Sequence, residues 1–220
     1  LNLPTQLPIA RYRLSFTLHD NLILPPYAGS TLRGVFGHAL RRAACMTRQK
    51  DCTGCPLSAT CPYTRIFATP QTTQLSNSQQ QTPPQPYIIE APEDGMTHYP
   101  AGSSYTFNLV LFGQTLMQLP LIAYAFDLAF QQGIGRAQAR GTLTDIAVQT
   151  NGSWHSILEQ QKIQPHTNQL SLPENYPQRP IVHIHTPMRI ISQKQIIKPD
   201  TLSSRILFQQ MLRRTTTFAA

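Results

Sequence analysis

The sequence predicts an α+β fold, and three observations carry that prediction. Ala10–His19 and Ser104–Phe112 alternate apolar and polar side chains with period two. Leu32–Ala43 and Pro120–Gln132 space their apolar residues as helices do. These signals also alternate along the chain, so sheet and helices share one core. The 220 residues are 40% hydrophobic, enough to form that core.

In Ala10–His19, Tyr12, Leu14, Phe16 and Leu18 point one way and Arg11, Arg13, Ser15 and Thr17 the other, as in a half-buried strand. Pro25-Pro26 ends the extended segment, and Ser30 or Thr31 is placed to cap a helix. That helix gathers Leu32, Val35, Phe36, Ala39, Leu40 and Ala43 on one face. Its other face carries Arg33, Gly34, Gly37, His38, Arg41 and Arg42. Two glycines inside a helix cost roughly 1 kcal/mol each against alanine, and on an exposed face they let another backbone approach. Thr69–Pro86, rich in Gln, Thr, Ser and Pro, reads as a mobile loop within the domain.

Tyr87–Glu90 predicts a short strand, Ser104–Phe112 a longer one, and Gly113–Leu119 a connection. Pro120 opens a buried helix that Gly133-Ile134-Gly135 breaks. Gly141–Val148 reads as a strand, and Asn151-Gly152 turns it into a hairpin whose second arm carries Trp154. Strand, helix, strand, strand, helix, strand is the split βαβ order of a ferredoxin-like, RRM-like βαββαβ domain. That domain is assigned to residues 1–178, with a cysteine-rich insertion and the loop at 69–86. Proline-rich Pro165–Pro180 marks its boundary. Ile181–Ile191 then predicts a strand, and Asp200 or Thr201 the cap of a helix reaching Arg214. Residues 179–220 thus read as the opening of a second, incomplete ferredoxin-like domain.

Charged residues are only 13% of the chain, yet the net charge is +8. The cations cluster: Arg33, Arg41, Arg42, Arg48, Lys50 and Arg65 face only Asp51 between Gly29 and Arg65. Clustered basic charge points to a polyanionic partner, nucleic acid first. No apolar run is long enough to span a bilayer and no signal peptide is apparent, so a cytoplasmic location and no membrane partner are expected. In that compartment Cys45, Cys52, Cys55 and Cys61, spaced C-x6-C-x2-C-x5-C, read as metal ligands more than as disulfides. Structural zinc is the first reading, an iron–sulfur cluster the second, and paired disulfides a third.

The stretch "LPPYAGSTLRGVFGHALRR", the loop "GIGRAQARG" and the later "TPMRI", in this order, resemble the RAMP superfamily of CRISPR-associated proteins. Within it the chain is most similar to the CRISPR precursor-RNA processing endoribonucleases. The resemblance implies two tandem ferredoxin-like domains with repeat RNA across their cleft. It also implies metal-independent cleavage, in which a ribose 2′-hydroxyl attacks the adjacent phosphate and leaves a 2′,3′-cyclic phosphate. By that likeness His38 is the candidate acid–base group, with Tyr27 and a cation, Arg42, beside it. Arg33, Arg41, Arg42, Gly133, Gly135, Arg136 and Arg140 are the candidate RNA contacts.

Each assignment has a plainer counterpart. His38 suits proton transfer near neutral pH, yet is equally a surface histidine on a basic helix. Tyr27 can orient the 2′-hydroxyl, stack on a base, or merely pack in its turn. Glycines at 133, 135 and 141 admit phosphate to backbone amides, or simply stop a helix. Their position after a helix does not suit a dinucleotide site. His183 and His185 face the same way on the expected strand, as a ligand pair or as a solvated face. The alternative at the level of the whole chain is a non-catalytic RAMP-type subunit that binds guide RNA among other CRISPR effector subunits. A metal-stabilised interaction module without an RNA role is disfavoured by the basic clusters.

Overall fold

The computed structural model describes residues 8–68, 84–167, 178–179, 181–186, 188–192 and 195–219. Strand β1 (Ile9–Leu18) is central, and its even-numbered side chains from Ala10 to Leu18 are all buried. Helix α1 (Gly29–Ala44), β2 (Tyr87–Glu90), β3 (Ser104–Phe112), helix α2 (Leu119–Gln132), β4 (Gly141–Thr150) and β5 (Ser153–Ser156) follow. The sheet order is β2-β3-β1-β4-β5, with every neighbouring pair antiparallel. With β5 set aside, this is the sheet of a ferredoxin-like βαββαβ fold.

Sequence explains the layering. Period-two strands offer one apolar face, and α1 and α2 cover it with apolar stripes. Leu32, Phe36 and Leu40 of α1 and Ile122, Phe126 and Phe130 of α2 are fully buried. Phe16 stacks on Phe130 at 3.8 Å between ring centroids and Phe36 on Phe126 at 4.7 Å, joining sheet to helix and helix to helix. Burying a phenylalanine stabilises by about 1.5–3 kcal/mol, so these rings dominate the core. In β4 an extra residue shifts the register opposite Ser15 and Phe16. Thr144 fills that bulge and donates its hydroxyl to the Ser15 carbonyl at 3.0 Å.

The outer sheet face is polar. Arg11 pairs with Glu90 at 2.7 Å and bonds Gln149, and Arg13 lies 4.0 Å over the Trp154 ring. Leu22–Ile23 pairs with His98–Tyr99 as a separate two-stranded ribbon at the far end of β1. A 3-10 turn, Gly113–Gln118, makes the expected connection into α2, whose first turn holds Pro120.

Four expectations are corrected. The start of α1 has no side-chain cap: Ala28 precedes its first residue, and the Ser30 hydroxyl bonds the Tyr27 carbonyl instead. Gly37 is buried, not exposed, because the Phe67 ring lies against it. Ile181–Ile191 is not a strand over most of its described residues: only its end joins a hairpin, in which Ile191–Ser192 pairs with Gln195–Ile196 and the Ile190 carbonyl accepts the Ile197 N–H. Ile181, Val182 and Ile184 are exposed, and among the described residues no strand lies beside them to hold them in a ladder. The last helix, α3 (Ser204–Ala219), does form, but Ser203 caps it by accepting the Ile206 N–H at 3.3 Å, not Asp200 or Thr201, which lie in a preceding 3-10 turn. The greater part of the loop at 69–86 and of the Pro165–Pro180 boundary lies outside the described residues.

Candidate functional site

The polar face of α1 is two ridges, each made of residues four apart. Arg33, Gly37 and Arg41 form the first, and chain from within and beyond the cysteine stretch packs on it, burying Gly37. A Cβ on Gly37 would lie 2.2 Å from Cζ of Phe67, so the ring occupies the place a side chain would take. Arg33 lies 4.9 Å over the same ring and donates to Gln85 at 3.1 Å, while Gln85 donates to the Phe67 carbonyl at 2.7 Å. Arg41 reaches back to the carbonyls of Gln49 and of Lys50, the latter at 2.6 Å, and lies 5.8 Å over the Tyr63 ring. Of the three expected contacts on α1, Arg33 and Arg41 therefore hold the protein's own loops.

Gly34, His38 and Arg42 form the second ridge, and all three are exposed. A Cβ on Gly34 would meet nothing within 4 Å. His38 and Arg42 open onto a shallow polar hollow completed by Arg41, Cys45, Arg48, Gln49 and Lys50. Four cations and one imidazole thus share a surface whose lining has no carboxylate. Arg48 and Lys50 were legible only as members of a charge cluster, because the loop that folds them back beside His38 has no periodicity to read.

Tyr27 is 60% exposed, two residues before α1. Eleven residues separate it from His38, about three turns or roughly 15 Å along a helix axis. The fold therefore does not seat the Tyr27 and His38 backbones together.

The glycine loop lies at the Tyr27 end. It stands where α2 ends and β4 begins, and Gly141 pairs with Leu18 at the end of β1. Each glycine answers an internal need. Gly133 has φ 98°, and a Cβ there would press on the Gln138 carbonyl at 2.4 Å. Gly135 has φ 70°, and its Cβ would meet the Ile23 carbonyl at 2.5 Å. Arg140 is tied to Asp20 at 2.9 Å. That guanidinium's hydrogen bonds, with the Arg140 backbone N–H, hold the Asp20 carboxyl below its ordinary range. Arg136 is exposed.

The four cysteines are free, half-buried, and line one hollow behind the end of α1. Among the described residues no three metal-ligating side chains converge: the Thr47 hydroxyl stands 3.9 Å from the Cys45 sulfur and 3.6 Å from that of Cys55. Burial acts to raise the Cys45 thiol, but the Arg48 backbone N–H, the Thr47 hydroxyl and Arg41 outweigh it and hold the group below the usual thiol value. Burial pushes Cys52 up, against the pull of Arg41, and the other three cysteines add to the rise. His183 and His185 stack with ring centroids 6.1 Å apart on an exposed segment. Among the described residues no helix is long and apolar enough to cross a membrane.

A family model, AF_1859_N, described as an N-terminal domain, matches residues 7–170. Among solved structures, a chain of the Csm3-Csm4 subcomplex in the type III-A CRISPR-Cas interference complex is similar at 17% identity and a TM-score of 0.43. The likeness covers 66% of this chain and 80% of that one. No curated protein matches the sequence.

Proposed function

The chain belongs to the AF_1859_N family, and on that premise we propose that it is an RNA-binding, metal-independent endoribonuclease that processes CRISPR repeat RNA. The hollow at His38 carries this reading. A phosphodiester brings negative charge that Arg42, Arg48 and Lys50 attract, and His38 is the one imidazole beside them. In the reaction, His38 takes the proton of the ribose 2′-hydroxyl, and the 2′-oxygen bonds to phosphorus. The bond from phosphorus to the 5′-oxygen breaks, and that oxygen takes a proton from water. Arg42, one turn beyond His38, binds the non-bridging oxygens as charge develops on them. A guanidinium does not give up its proton near neutral pH, so its part is electrostatic.

The resemblance to RAMP proteins read from the sequence also supports RNA as the polyanion. Tyr27 and Arg136, at the other end of α1, are suited to hold RNA away from the cut. Arg33, Arg41, Gly133, Gly135 and Arg140 then act indirectly, by holding the loops that shape the surface.

The test is incubation of the full chain with repeat RNA in EDTA, beside His38→Ala. The expected result is one cut ending in a 2′,3′-cyclic phosphate, slowed by about 10²–10⁴ in the variant, the usual worth of general acid–base catalysis. Tight binding without cleavage by either protein would instead make the chain a non-catalytic RNA-binding subunit. Cleavage unchanged by the substitution would remove His38 from the reaction.

A further inference from the structure

We propose that Cys45, Cys52, Cys55 and Cys61 together bind one zinc ion, as a four-thiolate structural centre that orders the insertion behind α1. The inference rests on what the insertion lacks. From Cys45 to Cys61 no residue is buried, and this stretch contains no helix or strand. Its six least exposed residues are the four cysteines, Thr47 and Ser58. Where a fold would place apolar side chains, this loop places thiols. Ordering a residue's backbone costs about 1–2 kcal/mol, and seventeen residues without buried apolar surface have little to offset it. Short segments of this kind are held by a metal or by disulfides.

The donor set suits zinc. All four side chains line the same hollow, and its other walls are mainly apolar, among them Ala44, Met46, Leu57 and Pro62. Cys52 and Cys55 flank a tight turn, in which the Cys55 N–H meets the Cys52 carbonyl at 3.3 Å and Gly54 has φ 71°. That is the chelating bite a C-x-x-C pair gives to tetrahedral zinc. Asp51, the one carboxylate on the hollow, accepts the Thr53 N–H and is committed to that turn.

Charge agrees with the donor count. Four thiolates around a divalent ion leave a net charge of about −2. In sequence, Arg48 and Lys50 lie within this insertion and Arg41, Arg42 and Arg65 beside it, with Asp51 the lone acid among them. Arg41 also grips the loop through two carbonyls, so one cation is already held against the insertion. The thiols stand around the hollow without converging, and binding draws them inward past the Thr47 hydroxyl.

Zinc and iron are measured on the full chain purified under reducing conditions, and the zinc is displaced by cobalt. About one zinc per chain is expected, with a thiolate-to-cobalt charge-transfer band and the d–d bands of a tetrahedral site. Cys55→Ser is expected to lower zinc below about a tenth per chain, while Thr47→Val keeps it. Chelation is expected to open 45–61 to protease while far-ultraviolet circular dichroism keeps the sheet signal, a readout that needs no RNA. Three results would overturn the inference: four thiols that react at one rate with and without zinc, disulfides in the freshly purified chain, or iron with labile sulfide in place of zinc.

Discussion

Replacing Gly37 with alanine sets two known effects against each other, and the structure decides which one wins. Alanine inside a helix is worth about 1 kcal/mol over glycine. At Gly37, however, the new Cβ would stand 2.2, 2.6 and 2.7 Å from three carbons of the Phe67 ring. Carbon atoms rest about 3.5–4.0 Å apart, so the ring must retreat by more than ~1 Å. Retreat disturbs its packing on Tyr63, Phe36 and Tyr87, at centroid distances of 5.7, 6.1 and 6.5 Å, and moves it from under Arg33. Overpacking of this kind costs about 1–3 kcal/mol, so the variant is expected to lose about 1 kcal/mol net. Gly34→Ala is the control: its Cβ meets nothing within 4 Å, so it gains the helix term alone, about 0.5–1 kcal/mol. Urea unfolding of both variants, with midpoints compared at constant slope, measures the difference. Removing the ring should also abolish the penalty, giving Gly37→Ala and Phe67→Ala a coupling of about 1 kcal/mol or more. Equal stabilisation by both alanines, or no coupling to Phe67, would refute the packing argument.

Two further expectations concern the glycine loop and its ion pair. Gly135→Ala places a side chain at φ 70° and 2.5 Å from the Ile23 carbonyl, so it should destabilise by about 1–3 kcal/mol in urea. Gly152→Ala, at φ 79° with open space around it, should lose only the smaller backbone part. Asp20 has a folded pKa below its unfolded value, chiefly through hydrogen bonds from Arg140, so its contribution is present above the unfolded carboxylate pKa of about 4 and is lost as pH falls through the folded one. Asp20→Asn should therefore lower Tm slightly at pH 7, with the gap to the parent closing in acid and in 1 M salt; a gap that widened in acid would reverse the assignment.

The fold was legible where one residue's neighbours in sequence set its environment. Tyr12, Leu14, Phe16 and Leu18 announce β1, and Leu32, Phe36 and Leu40 announce the buried stripe of α1, because a period of two or 3.6 is local information. What escaped depends on distant partners. Gly37 looked exposed because Phe67, thirty residues on and beyond the insertion, supplies the group that covers it. Arg41 looked free because its acceptors are backbone carbonyls of a loop without periodicity. The ribbon of Leu22–Ile23 with His98–Tyr99 is too short to carry a pattern. Ile181–Ile191 failed the other way: its apolar residues suggested a strand, but among the described residues none of Ile181, Val182 and Ile184 pairs with a strand, and all three are exposed.

The candidate site was half legible for the same reason. Sequence periodicity places His38 and Arg42 on one face of α1, and the structure leaves both exposed there. It cannot divide that face into the ridge of Arg33, Gly37 and Arg41, which Phe67, Gln85 and the carbonyls of Gln49 and Lys50 engage, and the ridge of Gly34, His38 and Arg42, which stays bare. The division has a consequence for experiment. The insertion holds Arg41 of the first ridge through the carbonyls of Gln49 and Lys50, while Phe67, just beyond it, covers Gly37, and among the described residues no hydrogen bond from the insertion reaches His38 or Arg42. Disordering the loop therefore strips Arg41 of its carbonyl partners first, and takes Arg48 and Lys50 from the rim of the hollow. Such a loss weakens the attraction for a polyanion while leaving the imidazole and Arg42 in place. Cysteine variants should accordingly weaken RNA binding and make it less salt-dependent, because fewer cations meet the phosphates. His38→Ala, by contrast, should leave both the binding and its salt dependence unchanged.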